Sequence, residues 1–543
     1  MDSALNSFQS PLEFQPKKLE SIIIGSRGSD LALWQANYIS QLLNKQGIET
    51  SIKIIKTQGD KIQHLSLDKL DGKGFFTKEL EEELLAGTID LAVHSHKDLP
   101  TVSPKGLMIA AVSDRENPAD IILINKNSID KSKVWNLKLN SNFGSSSARR
   151  KAQLLATRPD LNLIDIRGNV PTRINKLRNG EFDAIMLAAA GLNRLKLDLS
   201  DFLVVEIDPE IFIPSPAQGV LALQINEENE DLFIELQSIN NKKVQNEIFI
   251  ERKVLNLFEG GCHMPLGVYC KTVEHGYDVF VSKANTATDF PIRYHQFFDD
   301  REMAPILIHN KYLKETKKQT ILITRNENQD SFISKACISL DFNLIANPFI
   351  LFNKIGLDKS LIINYLTKTN WLFFGSKNIV DFFMELEISI PNHIKIASIG
   401  SGTGARIREY GFTVDFQGEG NNTEEIGLDF AKLLGNQIVL FPIGKKSLRS
   451  IQTQLPKENI LEVEIYDTLS KPQKINSYLD ILVFTSPSNV KGYFELNEIL
   501  ETQKVIAIGN STAKKLHEFG IYEPVICRNS DDLSISEALF HVR

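Results

Sequence analysis

Little in this chain points to a metal, a membrane or a nucleic acid. Its four cysteines, Cys262, Cys270, Cys337 and Cys527, show no Cys-x-x-Cys spacing and no partnering histidine pattern. That argues against a zinc site and a disulfide scaffold, and for a reducing compartment; no metal is expected. No run of about 18 apolar residues occurs, and the polar lead through Lys18, with Pro11 and Pro16, has no apolar signal-like core, so no membrane association and a cytoplasmic location are expected. Basic residues do not outnumber acidic ones: 61 Lys+Arg against 68 Asp+Glu give a net charge of −7 over 543 residues. Nucleic-acid-binding domains usually carry a basic excess, so nucleic acid is not an expected partner. A hydrophobic fraction of 42% at this length suits several domains with their own cores.

Against that acidic background, positive charge concentrates in two turns, Gly144-Ser145-Ser146-Ser147-Ala148-Arg149-Arg150 and Arg167-Gly168-Asn169-Val170-Pro171-Thr172-Arg173. Guanidinium forks match carboxylates and phosphates, and small turn residues expose backbone N–H groups, so a small, multiply anionic ligand is expected. A single pair of this kind is more often a surface or structural ion pair; two such loops favour a binding site.

Periodicity predicts α/β structure. Ser21–Gly25 reads as a buried strand, Ser26–Asp30 as a turn, and Leu31–Ala36 as the opening of a helix capped by Ser29 or Asp30. Further strands are expected at 51–56, 89–93, 121–124 and 184–187, and helices at 78–86 and 149–156. A charged stretch, 311–318, precedes a new strand at Thr320–Arg325. The second half repeats itself: Ile399-Gly400-Ser401 returns as Ile508-Gly509-Asn510, 109 residues later, and Phe374-Gly375-Ser376 as Phe484-Thr485-Ser486, predicting two similar lobes with a ligand cleft between them.

The first half resembles the hydroxymethylbilane synthases, or porphobilinogen deaminases. The resemblance rests on Ser26-Arg27-Gly28-Ser29 with Leu31–Ala36, Lys73–Glu81, His94-Ser95-His96-Lys97-Asp98-Leu99-Pro100, both arginine turns, Pro216-Ala217-Gln218-Gly219 and Gly260-Gly261-Cys262. It covers about residues 20 to 310. It implies an enzyme that polymerises four porphobilinogen units, releasing ammonia, on a dipyrromethane primer held by thioether to Cys262. A thiolate suits that bond, although a lone cysteine is more often a small buried hydrophobe. Each pyrrole brings two carboxylates, so the resemblance assigns Ser29, Lys97, Ser147, Arg149 and Arg150 to the cofactor, and Arg27, Arg167 and Arg173 to the substrate. Asp98 is the implied catalytic carboxylate, stabilising positive charge on a pyrrole intermediate and moving its proton. Two positions depart from the family: His96 stands where methionine is frequent and Ala217 where glycine is. His96 is given no catalytic role. Phe75 and Phe76 could stack on pyrroles or pack in a core.

The second half is similar to uroporphyrinogen-III synthase through Ile323-Thr324-Arg325, Phe484-Thr485-Ser486-Pro487, Ile508-Gly509 with Thr512, and Glu464–Thr468. That family closes hydroxymethylbilane with inversion of the last ring. The resemblance makes Tyr466 the residue assisting hydroxyl departure, and Thr324, Ser376, Ser401, Thr403, Ser486 and Thr512 substrate binders through hydroxyls and backbone amides, with helix capping as the alternative for each hydroxyl.

The expected architecture is α/β: a three-domain deaminase with two periplasmic-binding-protein-like domains, 19–115 plus 217–237 and 116–216, and a small α+β domain carrying the cofactor cysteine, 238–310. An extension (1–18), a linker (311–318) and two synthase lobes, 319–352 plus 469–543 and 353–468, complete it. A fragment beginning near residue 316 is expected to fold alone. Porphobilinogen and hydroxymethylbilane are the expected partners, and a monomer is compatible with the sequence. The competing possibilities are a deaminase carrying a degenerate binding module, and a ligand sensor built on a binding-protein fold.

Overall fold

The computed structural model describes residues 19, 21–57, 77–261, 264–356, 358–420 and 422–543. Cys262, Phe75 and Phe76 lie outside them.

Runs of β-branched and apolar residues form the strands, and Ser, Asn or Asp at the strand-to-helix turns cap the helices. β1 (Ser21–Ser26) turns into the helix Asp30–Asn44, where Ser29 Oγ accepts the Ala32 amide at 3.4 Å. β2 (Glu49–Ile54), β3 (Leu91–Ser95) and β4 (Leu107–Val112) follow. The chain then crosses to β5 (Asp120–Asn125), β6 (Asn142–Gly144), β7 (Asn162–Ile164), β8 (Ala184–Ala188) and β9 (Phe202–Ile207), and returns through β10 (Leu221–Asn226). The sheets run β2-β1-β3-β10-β4 and β7-β6-β8-β5-β9. In each, the fourth strand is antiparallel to both neighbours and lies next to a crossing between the sheets. Two like-ordered sheets joined by two crossings are the periplasmic-binding-protein arrangement. Ile24, Leu91 and Leu221 fill the first core, and Leu123, Ile185 and Leu177 the second. Each such fully buried side chain contributes roughly 1.5–3 kcal/mol.

A third domain pairs β11 (Leu266–Val273), β12 (Gly276–Lys283) and β13 (Ile292–Phe298) into an antiparallel sheet beside the helix Lys242–Leu257. Glu251 on that helix, fully buried, fastens it to the crossings. Its carboxylate accepts from Arg115 Nη1 at 2.7 Å, from the Ala217 amide at 2.6 Å and from the Cys270 amide at 2.8 Å.

The second half begins at β14 (Gln319–Ile323) and continues with β15 (Phe342–Ala346), β16 (Ile350–Lys354), β17 (Trp371–Phe374), β18 (Lys395–Ser398), β19 (Phe416–Gln417), β20 (Val439–Gly444) and β21 (Ile460–Ser470). β22 (Ile481–Phe484), β23 (Lys504–Ala507) and β24 (Val525–Ile526) complete it. Its two sheets run β15-β14-β22-β23-β24 and β16-β21-β20-β17-β18-β19. β16 pairs antiparallel with β21, Ile350 opposite Ser470. The lobes therefore divide just before Ile350 and just after Ser470, a few residues from the expected boundaries at 352 and 468. The predicted repeat is visible in backbone angles. Ser376 (φ −168°, ψ 161°) and Ser486 (φ −166°, ψ 158°) cap equivalent helices, as do Gly400 (φ −176°, ψ 178°) and Gly509 (φ −179°, ψ 176°).

The junction between the halves differs from expectation. Residues 311–313 are the last turn of the helix Met303–Leu313 rather than spacer. One hydrophobic core runs through the third domain and the first lobe, joining Val281, Tyr294 and Ile308 to Ile333, Leu539 and Phe540. Tyr312 and Tyr294 meet the Phe540 ring at 4.7 and 5.5 Å. A fragment cut near residue 316 would expose the face that Phe540 and Leu539 present to this shared core. No helix among the described residues is long and apolar enough to cross a membrane.

Candidate functional site

The loops at the carboxyl ends of β3, β6 and β7 bring the first two domains' polar residues together. Asp98 ends the turn His96–Asp98 that follows β3, and its side chain is exposed. Ser147 caps the helix Ala148–Thr157, accepting the Arg150 amide at 3.4 Å, and Asn169 caps Val170–Arg178, which carries Arg173. Arg173 Nε donates to the Gly168 carbonyl at 2.8 Å. Desolvation and repulsion from Arg150 and Arg167 lower the Arg173 guanidinium to about 10, while Asp98 acts in the opposite direction. Three cations from the second domain thus share one electrostatic neighbourhood with the first domain's carboxylate. Such an excess of positive charge suits a multiply anionic ligand.

Behind this cluster lies a buried carboxylate that the sequence reading passed over. Asp120, fully buried at the start of β5, holds Arg149 Nη1 at 2.7 Å and Arg150 Nη2 at 2.6 Å. Burial alone would raise the Asp120 carboxyl; the two guanidiniums hold it well below the usual carboxylate range. Arg149 also donates to the Ile213 carbonyl at 2.9 Å, and Arg150 to that of Met186 at 2.9 Å. Both arginines are therefore anchored and largely buried. Arg150 Nε is buried and has no hydrogen-bond partner among the described residues, which leaves a donor for a ligand. Gln218 extends the network: its Nε2 donates to Asp120 at 3.1 Å, and its Oε1 accepts from Lys97 Nζ at 3.2 Å. Burial lowers the Lys97 ammonium, with Asp98 opposing that shift. The available signals were an acid opening an apolar strand, Ala119-Asp120-Ile121-Ile122, and the amide in Pro216-Ala217-Gln218-Gly219.

Arg27 and Ser29 sit in the β1 turn; burial lowers the nearby His94 imidazole to about 4, with Gln224 opposing and the Arg27 charge adding to the shift. His96 lines a cavity of about 70 Å3 with Leu99, Arg252 and Gln224. Burial keeps its imidazole well below its ordinary value and so neutral. Ala217 adopts φ 62°, the left-handed region, which accounts for glycine being the easier residue there. Gly219 (φ 91°) admits no side chain, since a Cβ would meet the Glu116 carbonyl oxygen at 2.2 Å.

In the second half, the expected residues lie at turns leaving the carboxyl ends of parallel strands, the usual ligand position in such sheets. Ser376 and Ser486 accept the Ile379 and Asn489 amides at 3.3 and 3.2 Å. Tyr466 is buried between Phe352 and Phe382, with centroids at 5.2 and 5.1 Å, and its hydroxyl bonds Ser376. Burial raises its phenol. Ser401 is exposed at the first turn of the helix Ser401–Glu409, Thr403 is buried on it, and Thr512 Oγ1 is buried without a partner among the described residues. Thr324 is a correction. Its amide and hydroxyl both bond the Val483 carbonyl, at 3.0 and 3.2 Å, and the hydroxyl accepts the Thr485 amide at 2.9 Å. Fully buried and saturated, it splices two strands and has no donor left for a substrate.

Two like-ordered domains, followed by a third, thus bring together an arginine-rich cluster suited to a multiply anionic ligand. Comparison with known proteins agrees. Residues 22–233 match the family model "porphobilinogen deaminase, dipyromethane cofactor binding domain", and residues 331–534 match that of uroporphyrinogen-III synthase HemD. The porphobilinogen deaminase of Clostridium novyi (strain NT) is 44% identical over 254 residues, 46% of this chain and 83% of that protein. The Sulfurimonas denitrificans deaminase is 44% identical over 260 residues, 48% of this chain and 82% of its own length. Among solved structures, the uroporphyrinogen-III synthetase of Helicobacter pylori 26695 aligns at 22% identity and a TM-score of 0.31, covering 41% of this chain and all of that one. The chain belongs to the porphobilinogen deaminase family and carries a uroporphyrinogen-III synthase module after it.

Proposed function

We propose that the protein carries out two successive steps of tetrapyrrole synthesis: it polymerises four porphobilinogen molecules to hydroxymethylbilane with release of ammonia, then cyclises the product to uroporphyrinogen III. The observation that carries the first step is the convergence of Asp98 with Arg150, Arg167 and Arg173 across two domains. The donor set fits the family's dipyrromethane cofactor, whose carboxylates need several cations and whose site retains an unused buried donor at Arg150 Nε. When bound through Cys262, that group supplies the pyrrole carbon to which the first substrate is joined.

The residues' parts follow from charge. Arg149 and Arg150, preorganised on Asp120, and Lys97, held by Gln218, bind cofactor carboxylates together with Ser29 and Ser147; Arg27, Arg167 and Arg173 take those of incoming pyrroles. Loss of ammonia leaves positive charge on the reacting pyrrole. Asp98 stabilises that charge and takes the proton from the ring carbon once the new bond forms. In the second half, Tyr466 gives a proton to the departing hydroxyl, while Ser376, Ser401, Thr403, Ser486 and Thr512, with neighbouring amides, hold carboxylates at helix N-termini. Retention of both capped turns in each lobe favours a working synthase over a degenerate module. The reading includes a reducing cytoplasmic setting, in keeping with the buried cysteines Cys270, Cys337 and Cys527.

Intact-mass spectrometry tests the first step. The expected result is an added mass equal to dipyrromethane, absent from Cys262→Ser. Active protein at its bare polypeptide mass would refute the cofactor assignment.

A further inference from the structure

The junction between the halves carries charge as well as apolar surface. Arg528 and Glu537, both from the synthase half, meet a cluster in the deaminase half. Arg528 pairs with Glu210, on the loop leaving the second domain, and its guanidinium lies 4.9 Å from the centroid of Phe280 on β12. Glu537, on the helix Asp532–Val542, holds Arg293 of β13 at 3.1 Å, with both side chains buried. Arg293 in turn donates to the carbonyls of Glu210 and Ile211 at 2.8 and 2.9 Å, and Lys271 of β11 also pairs with Glu210. The loop leaving the second domain, the sheet of the third domain and the synthase helix therefore meet at one knot. Around it, Lys311 Nζ donates to the His541 carbonyl at 2.8 Å, Ser339 Oγ to that of Phe290 at 2.9 Å, and Phe290 packs on Phe332 at 4.8 Å.

We propose that the synthase half is a built-in brace of the deaminase: Arg528 and Glu537 hold the joint between the second and third domains, and so position the Cys262-bearing domain against the arginines of the second. The positioning role rests on the reading of Cys262 as the primer attachment; the interface itself does not. Buried hydrogen-bonded ion pairs are poor sources of net stability but strict about geometry, as a positioning device requires.

Two measurements on the full chain decide it. A protease site inserted at Lys317–Lys318, both exposed, allows the backbone to be cut after folding. The cut halves are expected to comigrate on size exclusion and in native mass spectra; separation at moderate salt would overturn the brace. Second, Arg528→Glu places like charge against Glu210 at a partly exposed position. It is expected to lower porphobilinogen turnover on the order of tenfold, the scale of a small misplacement of reacting groups, while cyclisation of supplied hydroxymethylbilane stays unchanged. Turnover equal to the parent's would refute the positioning role. A parent chain at bare polypeptide mass would overturn the Cys262 reading and the positioning role with it, while comigration would still decide the interface.

Discussion

Replacing Asp120 by Asn removes one charge and almost no volume, which makes it the sharpest probe of how the arginine cradle is built. In the parent, one fully buried carboxylate faces Arg149 at 2.7 Å and Arg150 at 2.6 Å. Removing one partner of a buried ion pair costs roughly 3–5 kcal/mol, because the remaining charge stays desolvated; an effective dielectric of about 20 gives a similar figure of roughly 4 kcal/mol for charges ~4 Å apart. The substituted amide also turns an N–H toward a guanidinium that has nothing to accept it. We expect the variant to lose on the order of 3–5 kcal/mol at neutral pH. Because the folded carboxyl lies below its unfolded value of about 3.9, its contribution is fully present above that value and fades as pH falls through the folded pKa. The gap between parent and variant should therefore be constant from pH 7 to about 5 and narrow only in stronger acid. Urea unfolding at a series of pH values measures it. A loss below about 1 kcal/mol at pH 7, or a gap that closes before pH 5, would refute the reasoning.

Asp98→Asn is expected to keep the primer, measured by intact mass, yet lose porphobilinogen turnover by two to three orders of magnitude, roughly what removal of one charge aimed at a developing ion costs; near-normal turnover would count against it. Tyr466→Phe should slow cyclisation of supplied hydroxymethylbilane about tenfold or less, since the substrate's own reactivity drives hydroxyl departure, and leave thermal stability nearly unchanged because the ring packing survives; an unaltered rate would remove Tyr466 from the reaction. Ala217→Gly relieves a left-handed residue at φ 62° and should raise stability by up to about 1 kcal/mol; a clear loss in calorimetry would mean that the strain is absent.

What could be read from the sequence was local. Ser376 and Ser486, or Gly400 and Gly509, announce their helices because a cap is written in a few adjacent residues, and the repeat of about 110 residues multiplies that signal. Both arginine turns were visible for the same reason. Asp120 was not singled out, since one acid in an apolar strand says nothing of which cations, 29 and 30 residues away, will meet it. Thr324 looked like a donor because its saturation by Val483 and Thr485 is long-range, separated by about 160 residues. The junction misled for a further reason. The charges of 311–318 suggest a spacer, but the apolar faces that join the halves, Tyr294, Tyr312 and Phe540, lie in elements whose periodicity shows that a face is apolar and not what covers it.

The most direct test of the whole account is the isomer formed when the full-length chain is given porphobilinogen alone. Two working sites predict uroporphyrinogen III as the main product, with ammonia released for each porphobilinogen consumed. Uroporphyrinogen I alone would contradict the synthase assignment, and no tetrapyrrole at all, from folded protein, would contradict both.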